Sequence, residues 1–313
     1  MISTLASALP DLPARGCTLI IVNPISGGGK ARRVAPLVAE FMAQRRIPAD
    51  FIRSQSTQHL KQEAVRAVAK GYSTIVALGG DGTFHHLVEA TCSADVVLGF
   101  FPAGNGNDIA EGLGIARDPL AAAEQFLRAK PRAVDLLEAR FDDGHCAHYI
   151  GAGGTGLDAE SARLANTRFR RLPGVIRYVA GALSTLAGYD ALELEADMDS
   201  RVWSGRVVLA AIANAPCYGA GFRIAPDAKM DDGWLDITLV REMPWTRLVE
   251  AIPTVLETEH WKWEGVERFR ARSVKLRASR ASPFQGDGEL LGDLPVEIRV
   301  LPAALRVRAP MRS

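Results

Sequence analysis

The sequence predicts an α/β domain followed by a β-rich, sandwich-like domain. Up to about residue 133, short apolar segments alternate with amphipathic segments, the pattern of a parallel sheet covered by helices on both faces. Beyond it, strand-like segments follow one another between turn signals, which indicates mostly antiparallel β structure. Three glycine-rich turns, each directly after a predicted strand of the first part, lie where open α/β sheets bind ligands.

The first part, residues 1–133, contains four predicted strands and four predicted helices. The strands are apolar, and the helices carry apolar stripes or start signals such as Asp118-Pro119. The predicted strands are 18–22, around 51–52, 74–78 and 96–101, and the predicted helices are 31–46, 57–70, 84–92 and 119 to before 131.

The second part, residues 134–301, is predicted as a β domain with two helical interruptions. Turn signals such as Asp142-Asp143-Gly144 separate its strands. The predicted strands are 133–141, 192–196, 206–212, 235–240, 274–278 and 296–300, and the helices are 174–188 and 244–259.

Composition excludes several classes of protein. With 37 basic and 36 acidic residues the net charge is +1, which gives no overall electrostatic attraction for nucleic acid. Four cysteines without a CxxC pair argue against a zinc ribbon or a disulfide framework and favour reduced thiols in the cytoplasm. No run reaches the roughly 18 apolar residues of a spanning helix, so no transmembrane segment is expected.

The first glycine turn, Asn23 to Lys30, connects the first strand to the first helix. Its backbone N–H groups and the helix N-terminus favour an anion, and Lys30 adds positive charge. The Walker A pattern GxxxxGK[ST] is absent. A flexible turn without a ligand is the alternative.

The second turn, Gly79-Gly80-Asp81-Gly82-Thr83, directly follows an apolar strand. The glycines permit a sharp turn and leave room for a ligand. Asp81 then lies at the carboxyl edge of the sheet. This arrangement suits a nucleotide phosphate chain beside a metal ion or a proton acceptor.

The third turn, Pro102 to Asp108, supplies amide side chains that can hydrogen-bond a base, a ribose or a phosphate. Asp108 is either part of this site or simply a helix N-cap. Because all three turns follow strands of one parallel sheet, they are expected to converge on one edge.

Four other segments carry residues that could bind a ligand or a metal ion. Gly151 to Gly156 matches GxGxxG, but no acidic residue follows about 20 positions later, which argues against a dinucleotide site. Gly286-Asp287-Gly288-Glu289 is either a carboxylate pair for proton transfer and Mg²⁺ or a surface turn. The adjacent His85 and His86 should point apart on a helix and make a poor metal motif. The basic run 168–171 is either a solvated face or a contact for anionic lipid.

Taken in order, these segments resemble the diacylglycerol kinase catalytic-domain family, which includes sphingosine kinases and bacterial soluble lipid kinases. GGDG alone also occurs in NAD kinases and phosphofructokinases, whereas the ordered combination is specific. The matching segments are Asn23 to Gly27 (NPxSG), Gly79 to Thr83 (GGDGT), Pro102 to Asp108 (PxGTxND), Asp232 to Asp236 (DGxLD) and Asp287 to Glu289 (DGE).

The resemblance implies a nucleotide-binding α/β domain, a β-rich substrate domain and an active site in the cleft between them. Residues 302–313 would return to the first domain. The implied activity is ATP- and Mg²⁺-dependent phosphorylation of a lipid hydroxyl at a membrane surface, in phospholipid metabolism. The enzyme would be cytoplasmic or peripheral to the inner face of the membrane. The oligomeric state, a homodimer included, stays open.

Site residues follow from the turns and from the resemblance together. Asp81 and Glu289 would form the catalytic pair, supported by Asp287. Asp232, with the carbonyl groups of Met230 and Trp234, would hold a structural Mg²⁺. The expected nucleotide-binding residues are Asn23, Ser26, Gly27, Gly28, Lys30, Gly79, Gly80, Gly82, Thr83, Gly104, Asn105 and Asn107.

The chain departs from the family pattern at three positions. Asn105 replaces a threonine, and His85 and His86 replace the asparagine and glutamate that commonly follow GGDGT. These changes imply an altered acceptor, an altered nucleotide or weak activity. Two other functions therefore stay open: an NAD kinase-like enzyme, against which the NPxSG segment argues, and a catalytically silent nucleotide-binding module that regulates a partner.

Overall fold

The computed structural model describes residues 18–166, 190–199, 201–219, 221–244, 246–247 and 264–311. The chain divides into two compact units. The first consists of Met1–Val134 and Ala303–Ser313, and the second of Asp135–Pro302. This division lies next to the boundary expected near residue 133.

The first unit contains a parallel sheet with the strand order β2, β1, β3, β4, followed by the last residues of β15, Val296–Arg308. Every residue of β1, β3 and β4 is buried, as expected for strands covered on both faces. The strands are β1 Thr18–Val22, β2 Ala49–Arg53, β3 Thr74–Gly79 and β4 Val97–Pro102. The helices are α1 Ser26–Gln44, α2 Thr57–Ala69, α3 Asp81–Thr91, α4 Asp108–Leu113 and α5 Pro119–Arg128.

Local signals explain where these helices begin. The Ser56 side chain accepts a hydrogen bond from the His59 amide, and the Asp118 carboxylate accepts from the amides of Leu120 and Ala121. α3 begins three residues earlier than predicted, because Gly80 serves as its N-cap in an extended conformation. α4 shows no periodic signal in the sequence, since six residues are too few. Asp108, considered as a helix N-cap, is instead the first residue of this helix, and its N-cap is Asn107.

The second unit is built from antiparallel strands. β9 pairs with β7, β8 and β10, β13 pairs with β7 and β14, and β12 pairs with β8 and β15. The strands are β5 Pro131–Phe141, β6 Cys146–Tyr149, β7 Ala152–Gly156, β8 Leu192–Met198, β9 Arg201–Ala213, β10 Leu235–Arg241, β11 Val266–Ala271, β12 Ser273–Ala278, β13 Pro283–Gly286, β14 Glu289–Asp293 and β15 Val296–Arg308; helix α6, Leu157–Asn166, lies among the described residues of this unit. The predicted α/β plus β-rich fold is confirmed.

The GxGxxG segment forms strand β7 between β9 and β13. A Cβ atom on Gly153 would lie 2.5 Å from the carbonyl oxygen of Gln285, and one on Gly156 would lie 2.5 Å from that of Val208. These glycines therefore permit close strand packing, which agrees with the prediction that the segment is not a dinucleotide fingerprint.

Several predicted segments lie outside the described residues. These are the helix at 174–188, nearly all of the helix at 244–259 and the basic run at 168–171. Among the helices that the structure describes, none has the length and apolar character needed to span a bilayer.

Candidate active site

The first glycine turn has a left-handed backbone. Gly27, Gly28 and Gly29 have φ values of +58°, +60° and +87°, which glycine adopts without steric cost. A Cβ atom on Gly27 would lie 2.2 Å from the carbonyl oxygen of Ala103, whereas one on Gly28 would meet nothing within 4 Å. The first turn therefore packs against the third at Gly27.

This difference between neighbouring glycines predicts unequal costs of mutation. Gly27→Ala and Gly28→Ala both place a side chain in the left-handed region, at about 1–2 kcal/mol each. Gly27→Ala adds a backbone clash, and we expect it to lose about 1–3 kcal/mol more in unfolding free energy. Urea unfolding of the two variants measures this difference. Equal losses would show that the close approach at Gly27 is not a constraint.

Thr83 connects the first two turns. Its Oγ1 accepts a hydrogen bond from Nδ2 of Asn23 at 3.0 Å and lies 3.3 Å from Oγ of Ser26. The backbone N–H of Asn23 donates to the carbonyl of Leu78 at the end of β3, at 3.0 Å. Three residues predicted to bind nucleotide thus share one polar cluster.

The second and third glycine turns contact each other through backbone atoms, with no side chain between them. The Ala103 amide donates to the Gly79 carbonyl at 2.6 Å, and a Cβ atom on Gly104 would lie 2.6 Å from Cα of Gly80. The Asn107 side chain accepts from the Gly104 amide at 2.9 Å and donates to the Gly104 carbonyl at 3.1 Å. All three turns therefore meet at one edge of the sheet, as predicted, and Asn107 shapes the third.

Asp81 lies at the start of α3, in the middle of this edge. Its Oδ1 accepts a hydrogen bond from the Ile109 amide in the first turn of α4, at 3.0 Å. Burial and the nearby charge of Asp108 raise the pKa of Asp81 from 3.8 to about 6, although the amides of residues 107–109 oppose this shift. The carboxyl group is thus poised to exchange a proton near neutral pH.

The raised pKa of Asp81 predicts a dependence of stability on pH. A folded pKa above the unfolded value stabilises the fold below pH 3.8, and this contribution is lost as the pH rises through about 6. The difference corresponds to roughly 3 kcal/mol. The asparagine of Asp81→Asn cannot titrate. Between pH 4 and pH 7.5 we therefore expect the unfolding free energy of wild type to fall by up to this amount relative to that of the variant. Urea unfolding of both proteins in EDTA at both pH values measures this loss. An equal change of unfolding free energy with pH in wild type and in the variant would contradict the raised pKa of Asp81.

In the second unit, Asp287 organises the backbone around residues 150–152. Its Oδ2 accepts from the Ile150 amide at 2.9 Å, and its Oδ1 accepts from the amides of Gly151 at 2.8 Å and Ala152 at 3.3 Å. The backbone of Asp287 is left-handed, with φ +53°. Glu289 begins β14 two residues later. Asp287 therefore fixes the turn that presents Glu289.

The residues expected to hold a structural Mg²⁺ have other partners. Oδ2 of Asp232 forms an ion pair with Arg270, and its Oδ1 accepts from the Trp234 amide at 3.2 Å. The Met230 carbonyl accepts from the Asp135 amide at 2.7 Å. Carboxylate and carbonyl oxygens suit Mg²⁺ chemically. In this arrangement the Asp232 carboxylate and the Met230 carbonyl are engaged within the protein, and the structural Mg²⁺ site stays a prediction.

Asp135 was missed by sequence reasoning. Its Oδ2 accepts from the Gly233 amide at 2.7 Å, and the side chain is only 2% exposed. It therefore anchors the Met230–Gly233 loop. A carboxylate between the apolar residues Val134 and Leu136, near the start of the predicted strand 133–141, was the available signal.

Other predicted site residues are located as follows. Lys30 begins the regular part of α1 after the three left-handed glycines, and Asn105 is exposed on the third turn. Asp81 belongs to the first unit, and Asp287 and Glu289 belong to the second. Their roles toward nucleotide and substrate stay predictions.

Comparisons with known proteins agree with this organisation. Residues 18–139 match the family model described as diacylglycerol kinase catalytic domain, and residues 151–309 match the YegS C-terminal NAD kinase beta sandwich-like domain. A diacylglycerol kinase of Mycobacterium tuberculosis (strain H37Rv) is 30% identical over 297 residues, which cover 94% of this chain and 96% of the relative. A diacylglycerol kinase of Bacillus subtilis (strain 168) is 25% identical, with 89% and 91% covered.

The fold is also found in a solved structure. A crystal structure of a diacylglycerol kinase from Bacillus anthracis str. Sterne has a TM-score of 0.71 at 19% identity, and the match covers 94% of this chain and 97% of that one.

Proposed function

Because the chain belongs to the diacylglycerol kinase family, we propose that it transfers the γ-phosphoryl group of ATP to a hydroxyl group of a diacylglycerol-like lipid. The observation that carries this proposal is the meeting of three glycine turns around a carboxyl group with a raised pKa, at the carboxyl edge of a parallel sheet. Such an edge is where open α/β sheets bind nucleotides.

The turns supply what a triphosphate needs. Phosphoryl transfer depends on positioning and on neutralising charge, and backbone N–H groups of the glycine turns can do both without side chains in the way. Asn23, Ser26 and Thr83 hold two of the turns together and present hydroxyl and amide groups at the same edge. Lys30 adds positive charge, and Mg²⁺ arrives with the nucleotide as part of the substrate.

We assign Asp81 as the proton acceptor. In the proposed step, the lipid hydroxyl oxygen forms a bond to the γ-phosphorus, the bond from that phosphorus to the leaving ADP oxygen breaks, and the hydroxyl proton passes to the Asp81 carboxylate. A pKa of about 6 suits this role because the group is ionised at neutral pH yet still basic. Glu289 is assigned to the same reaction, and Asp287 positions it through the backbone of residues 150–152.

The acceptor is proposed from the named relatives. Both curated relatives described above are called diacylglycerol kinase. A diacylglycerol-like acceptor would place the reaction at a membrane surface and within phospholipid synthesis. We propose a cytoplasmic enzyme that works at the inner face of the membrane.

An NAD kinase-like activity is the second candidate, because the model matching residues 151–309 describes an NAD kinase beta sandwich-like domain. One experiment separates the two activities. Purified protein is incubated with ATP labelled at the γ-phosphate, Mg²⁺ and either a total lipid extract or NAD, with Asp81→Asn as the blank. Label in a lipid supports the proposal, whereas label in NAD overturns it in favour of the second candidate. ATP binding without transfer to either would indicate a silent regulatory module.

A further inference from the structure

Two histidines and a glutamate form a compact cluster on α3, just after the second glycine turn. His86 Nδ1 lies 3.5 Å from Oε2 of Glu89, and His85 Nε2 lies 3.8 Å from the same oxygen. The three ligand atoms all lie within 4.8 Å of one another. Among the described residues, this is the one group of three or more His, Cys, Asp or Glu side chains that meets this distance.

Adjacent histidines were expected to point apart on a helix, and the structure shows why these two converge. They use different ring nitrogens: His86 approaches with the near Nδ1 and His85 with the distant Nε2. Their rings lie edge to face with centroids 5.1 Å apart. Glu89 follows His86 by three residues and His85 by four, so it lies on the helix face that both rings can reach.

The distances suit a small divalent ion of the transition series. Zinc binds imidazole nitrogen and carboxylate oxygen at roughly 2.0–2.2 Å, usually with tetrahedral geometry. Tetrahedral donors are then separated by about 3.4 Å, close to the observed 3.5 and 3.8 Å. Imidazole ligands also favour Zn²⁺, Co²⁺ or Ni²⁺ over Mg²⁺. We propose that His85, His86 and Glu89 bind a transition-metal ion of the Zn²⁺ class, at a site separate from the Mg²⁺ that accompanies ATP.

Burial gives the site a closed side and an open side. The His85 side chain is 2% exposed and that of His86 is 15% exposed, whereas that of Glu89 is 38% exposed. The histidines are therefore held by packing, and the ion enters from the side of Glu89. Three protein ligands leave the fourth position for water.

Lys61 on α2 competes for this site. Its Nζ lies 2.6 Å from Oε2 of Glu89, the same oxygen that both histidines approach. A metal ion bound at this oxygen would be repelled by the Lys61 ammonium group, which weakens binding while Lys61 and Glu89 stay paired. The Lys61 side chain is 34% exposed and can turn into solvent. Pairing with Lys61 and binding of the metal are thus alternative states of Glu89.

This competition allows a test in which two substitutions have opposite effects. The full chain, stripped with EDTA and freed of chelator, is titrated with Co²⁺ to follow its visible d–d absorption, and with Zn²⁺ against a chromophoric chelator. We expect one equivalent to bind, in millimolar Mg²⁺. His86→Ala should weaken binding at least tenfold, and Lys61→Met should tighten it severalfold because the competing cation is gone.

Two control variants separate this site from incidental binding. His59→Ala removes another histidine that approaches a glutamate, Glu63, at 3.6 Å on α2, and it should leave affinity unchanged. Cys92→Ser removes the nearest thiol after α3 in the sequence and should also change nothing. Circular dichroism without metal checks each fold, and His86→Gln replaces His86→Ala if the latter unfolds.

The proposal is overturned if metal binding is absent, if the His86 variants bind as wild type does, or if Lys61→Met weakens binding. None of these readouts involves phosphoryl transfer. A failure here therefore leaves the proposed kinase function untouched, and a failure of the kinase assay leaves the metal site untouched.

Discussion

Asp81→Asn is expected to lower the rate of phosphoryl transfer by a factor of roughly 10²–10⁴ while the protein stays folded. Asparagine keeps an oxygen that can accept the hydrogen bond from the Ile109 amide, so the contact between α3 and α4 is retained. It cannot accept a proton, which removes the proposed base. Initial rates with labelled ATP and a diacylglycerol dispersion measure the loss, and thermal unfolding checks the fold.

Asp95→Asn is the matched control for this experiment. Asp95 belongs to the same unit, but its side chain is 87% exposed and pairs with Arg306 at the surface. Exposed ion pairs contribute about 0–1 kcal/mol, so neither rate nor stability should change measurably. A folded Asp81→Asn protein with the activity of the Asp95 variant would refute the assigned role.

Asp287→Ala should produce the largest loss of stability among the predicted site residues, about 4 kcal/mol or more. The substitution removes an acceptor that holds three backbone amides and leaves those donors without the carboxylate. Hydrogen bonds to charged groups contribute about 1.5–3 kcal/mol each, although their effects are not additive. The left-handed backbone of Asp287 adds to the cost, because alanine tolerates it poorly.

Asp287→Asn and Asp293→Ala calibrate this result. Asparagine tolerates the left-handed conformation and keeps one acceptor oxygen, so an intermediate loss is expected. Asp293 lies exposed at the end of β14 in the same unit and should tolerate alanine within about 0.5 kcal/mol. Urea unfolding measures all three. An Asp287→Ala protein as stable as the Asp293 variant would show that these amides find other partners.

The parallel sheet of the first unit could be predicted almost residue by residue. β1 was expected at 18–22 and occurs there, because five consecutive apolar or β-branched residues can only be buried on both faces. The Asp118-Pro119 start of α5 was equally clear, since a capping carboxylate and a fixed proline φ act locally. Signals of this kind need no knowledge of distant parts of the chain.

The β-rich unit was predicted less completely. β9 extends over Arg201–Ala213 rather than 206–212, and β11 at Val266–Ala271 was not expected. Three of the six residues of β11 are charged, Glu267, Arg268 and Arg270, and its pairing with β10 specifies it. Cross-strand partners rather than intrinsic preference stabilise such a strand.

Residue types and spacing alone determined the α/β plus β-rich architecture, the three glycine turns and the position of Asp81 at the end of a buried strand. Each depends on properties that act along a few residues: burial of apolar runs, glycine's access to left-handed backbone and the position of a turn after a strand. Only the tertiary structure decided that Asp287 holds the amides of residues 150–152, that Asp232 pairs with Arg270, and that His85 and His86 converge on Glu89. Which donor meets which acceptor depends on how distant segments and individual rings are packed, and no local pattern encodes that geometry.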